Sequence, residues 1–577
     1  MLLSAGAGPA ASADFTSHAL PRQERVGVPQ VLSEGDIARY REIFQIQQDG
    51  AWELADKHIR ALQDRLLMGY VLSQRYLHPT KYRSSYDELR DWMVQYRDHP
   101  DAQRIYELAL RRKPKKAPEL LSPSSGLVAM VKLPAPPAPE AIGEKGAALR
   151  AKVDEHLDRN EPQQAEALLE EPEAQESIPA TAFDRIRADV AMAYYLQGED
   201  KRAYALAAAA AKRSNETVPQ ADWIAGLASY RAGRLGTAAI HFARHARSPA
   251  AGQWSAAAGA YWAARCHLQI RQPAKVERWL RLAASYPRTF YGQIAQRALG
   301  LDSPLDWSLP AVTQEDIDRV FRLPGGRRAI ALVQMGEIVL AEEELRTHVW
   351  KLDTDHARSL LAVADAAGLP NTAIRAGVRL AQFGAEAADR VLYPEPPWSP
   401  RDGFKLDRAL LYAFMRQESV FYSRATSAVG AVGLMQLMPG TAMQVSADAD
   451  LRIDGQKALY EPSLNISLGQ QYLAWLLVRP GVDGDLFKLA IAYNAGIGNL
   501  RRWEKATEYK GDPLLFIESI PSRETRTYVE RVMANFWIYR QRLGQPSPSL
   551  DAIVAGEWPA YVPFDQPEAQ IAQDVPN

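Results

Sequence analysis

Cysteine is almost absent: Cys266 stands alone in a chain of 577 residues. One thiol excludes an intramolecular disulfide framework and leaves no thiolate cluster for a structural zinc site. Net charge is equally scant, −1 from 68 Lys and Arg against 69 Asp and Glu, so no global basic field points to nucleic acid. No apolar run approaches the roughly 20 residues that a membrane span requires. Sustained strand-type alternation is missing as well. So is H-E-x-x-H or any comparable helical ligand pair, which removes the usual zinc-peptidase pattern; no metal and no cofactor is expected.

What is present is the material of a large globular protein, 47% hydrophobic and 24% charged. The length exceeds what one core serves, so two to four domains are expected. Alanine and leucine dominate, with apolar residues at three- and four-residue steps, and the predicted fold class is mainly α. Residues 36–112 read as two to four amphipathic helices, one of them over 52–73. Pro114, Pro118, Pro123, Pro134, Pro136, Pro137 and Pro139 then crowd a stretch that reads as a linker or an excursion from the helical stack. At the start, Ala11-Ser12-Ala13 resembles a signal-peptidase site, but no basic segment precedes it. Residues 1–35 are therefore read either as a leader truncated at its front or as an Ala/Gly-rich arm.

A weak repeat follows. Ala191-Met-Ala-Tyr-Tyr-Leu-Gln-Gly198 and Gly226-Leu-Ala-Ser-Tyr-Arg-Ala-Gly233 each close one helical pattern and open another, their final glycines 35 residues apart. That is the helix–turn–helix unit of a TPR-like α-superhelical solenoid, and Gly336 and Gly368 continue it less clearly. A solenoid implies binding or positioning, not chemistry. Prolines between Tyr393 and Pro400 mark a boundary, after which helices alternate with glycine-rich loops. The expected organisation is a superhelix over 36–315 with a Pro-rich excursion at 113–145, a helical linker over 316–392, a site-bearing domain over 400–545 and a proline-rich tail over 546–577, poorly ordered unless Trp558, Tyr561 and Phe564 dock it.

Within the site-bearing domain the spacing predicts a helix over 406–421. Glu418 follows Met415, Phe414 and Leu411 at three, four and seven residues, so its carboxylate lies on or beside an apolar stripe. Apolar surroundings disfavour the charged form, and a glutamic acid still protonated near neutrality can protonate a glycosidic oxygen. By itself the position fits equally a partly exposed glutamate at a helix end. The run Ser427-Ala-Val-Gly-Ala-Val-Gly433-Leu-Met-Gln436-Leu-Met438-Pro-Gly440 is apolar and punctuated by glycine, with Gln436 its one polar residue after Ser427. Either a binding wall or a buried loop core accounts for it. Tyr493 lies near a helix end capped by Gly496, and Glu524 near a helix start, where the two could meet through a hydrogen bond.

Together, Arg416-Gln-Glu418-Ser419, Gly433-Leu-Met-Gln-Leu-Met-Pro439, Asn465-Ile-Ser-Leu-Gly469, Ala492-Tyr-Asn-Ala-Gly496 and Ile520-Pro-Ser-Arg-Glu-Thr-Arg526 resemble the soluble lytic transglycosylase family in order and interval. The match covers about residues 404–543. More loosely, Tyr286-Pro-Arg-Thr-Phe-Tyr-Gly292 and the helical half resemble the α-superhelical ring of the large periplasmic members. The resemblance implies a goose-lysozyme-like fold that cleaves peptidoglycan glycan strands, with Glu418 as the one catalytic acid/base. It places Ser427, Gln436 and Met438 at glycan contacts, and gives Tyr493 and Glu524 the task of shaping and polarising the site. Asn465 to Gly469 reads as structural. A periplasmic location follows from the substrate, and other envelope proteins are candidate partners of the superhelix. Hydrolysis by a two-carboxylate muramidase is the nearest rival chemistry, although Asp448, Asp450 and Asp454 read as loop residues. A scaffold that merely grips glycan is the competing non-enzymatic class.

Overall fold

The computed structural model describes residues 29–124, 142–171, 178–308, 311–346, 348–446 and 455–565. The candidate leader up to residue 28, most of the Pro-rich excursion, residues 447–454 with the three loop aspartates, and the end of the tail lie outside them. Helices dominate the described residues, whose only β features are three isolated bridges. No helix among them is long and apolar enough to cross a membrane.

Chain packing defines two units that are each discontinuous in sequence. One unites Met1–Leu127 with Ala311–Thr372, the other Val128–Pro310 with Ala373–Asn577. Composition and proline density mark segment ends but not which helices return to which, so the contiguous segments expected from sequence cut across these units. In the first unit, Gln334 Oε1 accepts from the amides of Val31 and Leu32 at 3.0 and 3.1 Å. Arg328 there joins Asp98 and Glu344 at 2.9 and 2.7 Å. The single helix expected over 52–73 is two, Trp52–Arg60 and Met68–Tyr76. Its break is held by another helix: the buried Asp36 carboxylate accepts from Gln63 N and Asp64 N, satisfying amides that a continuous helix would use internally.

The second unit carries the repeat. Helix pairs Gly143–Asp158 and Pro162–Glu170, Ala180–Leu196 and Asp200–Ser214, Pro219–Arg231 and Leu235–Arg247, and Gln253–Gln269 and Pro273–Ala284 follow one another. Each pair turns at one left-handed residue: Asn160, Gly198, Gly233 and Arg271. The bonding is the same in all four, a Schellman cap in which the left-handed residue and its successor donate to the last turn. Gly198 N reaches Tyr195 O and Glu199 N reaches Tyr194 O, at 3.0 and 2.9 Å. Arg271 and Gln272 repeat this on Leu268 and His267. Asparagine tolerates the conformation, and arginine adopts it at some cost, so two of the four turns carry no glycine signal.

The final helix of this series, Phe290–Ala298, packs on the site-bearing region. Phe290 stacks on Trp537 with ring centroids 5.3 Å apart, and Gln541 donates to Gln293 at 2.7 Å. The tail packs through residue 565, the docked alternative of the two that the sequence left open, with Trp558 and Tyr561 against the core. Helix Pro548–Ala555 is followed by a segment in which Tyr561 N donates to Gly484 O at 2.8 Å. Beyond it, the amides of Phe564 and Asp565 donate to Asp407 at 2.8 Å. Asp407 also pairs with the buried Arg540 at 2.5 Å, so the residue preceding the Glu418 helix is fixed from two sides.

Candidate active site

The helix bearing Glu418 spans Arg408–Ser419, shorter at each end than the 406–421 expected: Asp407 is its non-helical N-cap, and Val420 and Phe421 both take left-handed backbone. Consecutive positive φ at 52° and 60°, one of them on a β-branched residue, is an unfavourable conformation that the surroundings must enforce. Ser419 Oγ supplies part of that constraint, donating within hydrogen-bond range of Met415 O and Leu434 O. Arg416 adds more: its Nε donates to Leu392 O at 2.9 Å and its guanidinium lies 4.1 Å from the Tyr393 ring centroid.

Leu411, Phe414 and Met415 are buried, as the apolar stripe required, and Glu418 is half-buried beside them. Burial pushes its carboxyl up to about 7. A hydrogen bond from Tyr528 opposes the rise, and the charge of Glu524 adds to it. Tyr528 Oη donates to Glu418 Oε1 at 2.5 Å, which leaves Oε2 as the oxygen free to carry a transferable proton. Tyr528 had no place in the sequence reading, although it lies one helical turn after Glu524 on the same face. That i,i+4 relation was the available signal; the partner lies 110 residues away.

Tyr493 stands on the next wall. Its ring meets Phe414 edge-on at 4.8 Å and Tyr472 at 5.3 Å. Its hydroxyl donates to Met435 O at 2.7 Å, and not to Glu524 as the sequence had allowed. Glu524 is exposed in the first turn of helix Arg523–Arg542, where a negative charge suits the positive helix end. The two helices meet instead through Thr525, whose hydroxyl donates to Asn494 Oδ1 at 2.7 Å.

Ser427, Gln436 and Met438 share one irregular loop. Ser427 Oγ accepts from Ala431 N at 2.9 Å, closing the turn whose tip is the exposed Val429. Gln436, itself at positive φ, donates from Nε2 to Gly433 O at 2.8 Å and Ala425 O at 3.2 Å. Its Oε1 takes no bond among the described residues. Met438 is 42% exposed and ends the loop at the start of helix Pro439–Val445.

The loop rests on Asn465, which is fully buried. Asn465 Oδ1 accepts from Met435 N at 2.8 Å, and Nδ2 donates to Val432 O and Leu459 O at 3.0 and 2.9 Å. Gly433 makes this approach possible, since a Cβ there would lie 2.3 Å from Asn465 Nδ2, at a φ of +82°. The structural reading of Asn465 therefore has a concrete form: it welds the loop to helix Pro462–Leu477.

Glu418, Tyr493, Tyr528 and the supporting loop thus form one constellation: a carboxyl of near-neutral pKa, an aromatic wall and a loop with spare polar and apolar groups. Residues 399–516, which hold Glu418, the loop and Tyr493, match the model of the transglycosylase SLT domain. Among proteins with similar sequence are the soluble lytic murein transglycosylases of Salmonella typhimurium and Escherichia coli K12. The first is 40% identical over 146 residues, 25% of this chain and 22% of the relative. The second is 38% identical over 159 residues, 27% and 24% of the two chains. The chain thus spans about a quarter of the length of the curated relatives it matches. Solved structures extend the likeness in fold. The lytic transglycosylase Slt of Pseudomonas aeruginosa, crystallised as an inactive mutant, covers 89% of this chain and 87% of its own, with a TM-score of 0.54 at 21% identity. The 70 kDa soluble lytic transglycosylase of Escherichia coli covers 91% and 99%, with a TM-score of 0.53 at 17% identity. The fold is accordingly an α-superhelix followed by a lysozyme-like domain.

Proposed function

We propose that this chain is a peptidoglycan lytic transglycosylase, which cleaves the β-1,4 bond between N-acetylmuramic acid and N-acetylglucosamine and leaves 1,6-anhydro-muramoyl ends. The observation that carries this reading is Glu418, a half-buried carboxyl held near neutral pKa with Tyr528 on one oxygen. A group of that pKa can both give and take a proton at working pH. In the first step Glu418 donates its proton to the glycosidic oxygen, the bond from muramoyl C1 breaks, and N-acetylglucosamine leaves as an alcohol. The muramoyl acetamido oxygen covers the cationic C1. In the second step the Glu418 carboxylate removes the proton of the C6 hydroxyl, O6 bonds to C1 and the acetamido group is released. Glu418 is protonated again and no water is consumed, which fits a site with one carboxyl of raised pKa at its centre. The internal nucleophile gains from high effective molarity.

In this reading Ser427, Gln436 and Met438 contact glycan, the last two through the free Oε1 and the exposed thioether. Tyr493 packs the wall beside Glu418, and Glu524 supplies a charge that favours the protonated acid. The lysozyme-like domain occupies about residues 400–545, the enzyme works on periplasmic peptidoglycan in wall turnover or remodelling, and the superhelix is the surface for envelope partners. Mass spectrometry of the soluble products from bacterial sacculi tests the chemistry. Muropeptides with anhydro ends, absent with Glu418→Gln, are expected. Reducing ends, heavier by one water, would instead establish hydrolysis and make Glu524 the second carboxylate to test.

A further inference from the structure

We propose that the superhelix is part of the catalytic apparatus: Tyr291 and Tyr195, acting through Glu518 and Ser519, hold the helix that places Tyr528 on Glu418. The inference rests on the transglycosylase reading above, and adds positioning residues drawn from outside the SLT domain.

The segment from Lys510 to Ser519 lies in the second unit between the superhelix and helix Arg523–Arg542, and four superhelix helices grip it in turn. Lys510 Nζ donates to Arg231 O at 2.7 Å, and Arg265 pairs with Asp512 at 2.8 Å. Asp512 uses its other oxygen to cap helix Pro513–Glu518, accepting from Leu514 N and Leu515 N. At the far end of that helix Tyr291 Oη donates to Glu518 Oε1 at 2.5 Å, and Tyr195 Oη lies 2.7 Å from Ser519 Oγ. Both tyrosines, Glu518 and Ser519 are buried. Glu518 also bonds Glu530 and faces Arg526 on helix Arg523–Arg542, so it joins that helix to the superhelix directly, and a buried carboxyl that loses a donor is costly to keep in place.

The grip is transmitted over a short, stiff path. Ile520 is fully buried, and its carbonyl accepts from Arg526 Nη1, which ties the turn to the helix it precedes. Ser522 caps that helix through Thr525 N, and Thr525 in turn holds Asn494. Tyr528 follows within two turns, about 9 Å along a rigid helix from Ser522. A hydrogen bond of 2.5 Å is lost by a displacement of roughly 1 Å, so a small slip at Ser519 is enough to free Glu418.

The test uses the full chain with Tyr291→Phe, Tyr195→Phe and Ser519→Ala, the last being the mildest change and the check against misfolding. The titratable groups facing Glu418 are Tyr528 and Glu524 from one helix and Tyr493 from another. Among them Tyr528 alone holds the carboxyl pKa down. A loosened grip is therefore expected to raise the alkaline limb of kcat/KM by about half a pH unit, with kcat down about three-fold and KM unchanged. Combined with Tyr528→Phe, the same substitutions should add no further shift, because the bond they act through is already gone. Limbs that stay at the wild-type position in folded variants, or shifts that add to that of Tyr528→Phe, would overturn the proposal. Titration of Glu418 by NMR in protein carrying ¹³C-labelled glutamate reads the same shift without turnover. An absence of product from the wild type would thus count against the proposed reaction, while the NMR shift still decides the proposal about the grip.

Discussion

Replacing Tyr528 by phenylalanine isolates one atom of the site. The ring keeps its contact with Phe414, at a centroid distance of 6.2 Å, and the helix keeps its packing, so only the hydroxyl on Glu418 Oε1 is removed. That hydroxyl favours the carboxylate, because a donor binds the charged form more strongly than the neutral one. A hydrogen bond to a charged group contributes roughly 1.5–3 kcal/mol net, and 1.36 kcal/mol corresponds to one pKa unit. Entry of water into the gap offsets part of this, so the expected rise is about one unit above the value of about 7 that Glu418 has with Tyr528 in place. The assay is kcat/KM on short soluble glycan strands across the pH range. Activity requires the protonated acid in the free enzyme, so the alkaline limb reports Glu418. It should move up by about one unit while kcat falls about ten-fold, because the carboxyl loses the group that orients it. A limb that stays in place or moves down would refute the assignment of Tyr528 as the group that holds Glu418.

Glu524→Gln should shift the same limb the other way, by a few tenths of a unit, because it removes a negative neighbour; the effect should shrink as salt screens it. Asn465→Ala strips Met435 N and Leu459 O of their partner in a buried place and takes one of two donors from Val432 O, which keeps Leu437 N, and thermal melts should show a loss of roughly 3 kcal/mol together with low activity. Glu518 and Glu530 both have raised pKa values, first through burial and, for Glu530, also through the neighbouring Glu518. Carboxyls more easily ionised in the unfolded chain cost stability as pH rises from the ordinary glutamate range towards their folded pKa. Glu530→Gln should therefore raise the melting temperature at pH 8 more than at pH 5, and an equal change at both would contradict it.

How much was visible in the sequence differs by feature. Glu418 was, because three-, four- and seven-residue spacing to Met415, Phe414 and Leu411 places a carboxylate on a buried stripe. Gly198 and Gly233 gave away two turns of the superhelix, but Asn160 and Arg271 make the same turn without the residue type that marks it. The break after Arg60 depends on Asp36, and Tyr528 matters because it meets Glu418 110 residues away. The tail's order depends on Asp407 and Arg408, whose part in holding it appears only once the chain has returned on itself. Local chemistry could be read from neighbours in sequence; distant polar partners could not.

The abrupt stop after Ser419 has an electrical meaning as well as a steric one. Because Val420 turns left-handed, Glu418 sits in the last turn of its helix, where the carbonyl end of the dipole amounts to roughly half a negative charge. That field disfavours the carboxylate and so helps the acid keep its proton before the reaction. In the proposed reaction the same half-charge then faces a sugar carbon turning positive as the glycosidic bond opens, and attracts it. A glutamate one or two turns earlier would be equally well buried but would lack this bias, so the unfavourable backbone at Val420 and Phe421 puts Glu418 at the one end of the helix whose dipole serves both halves of the proposed cycle.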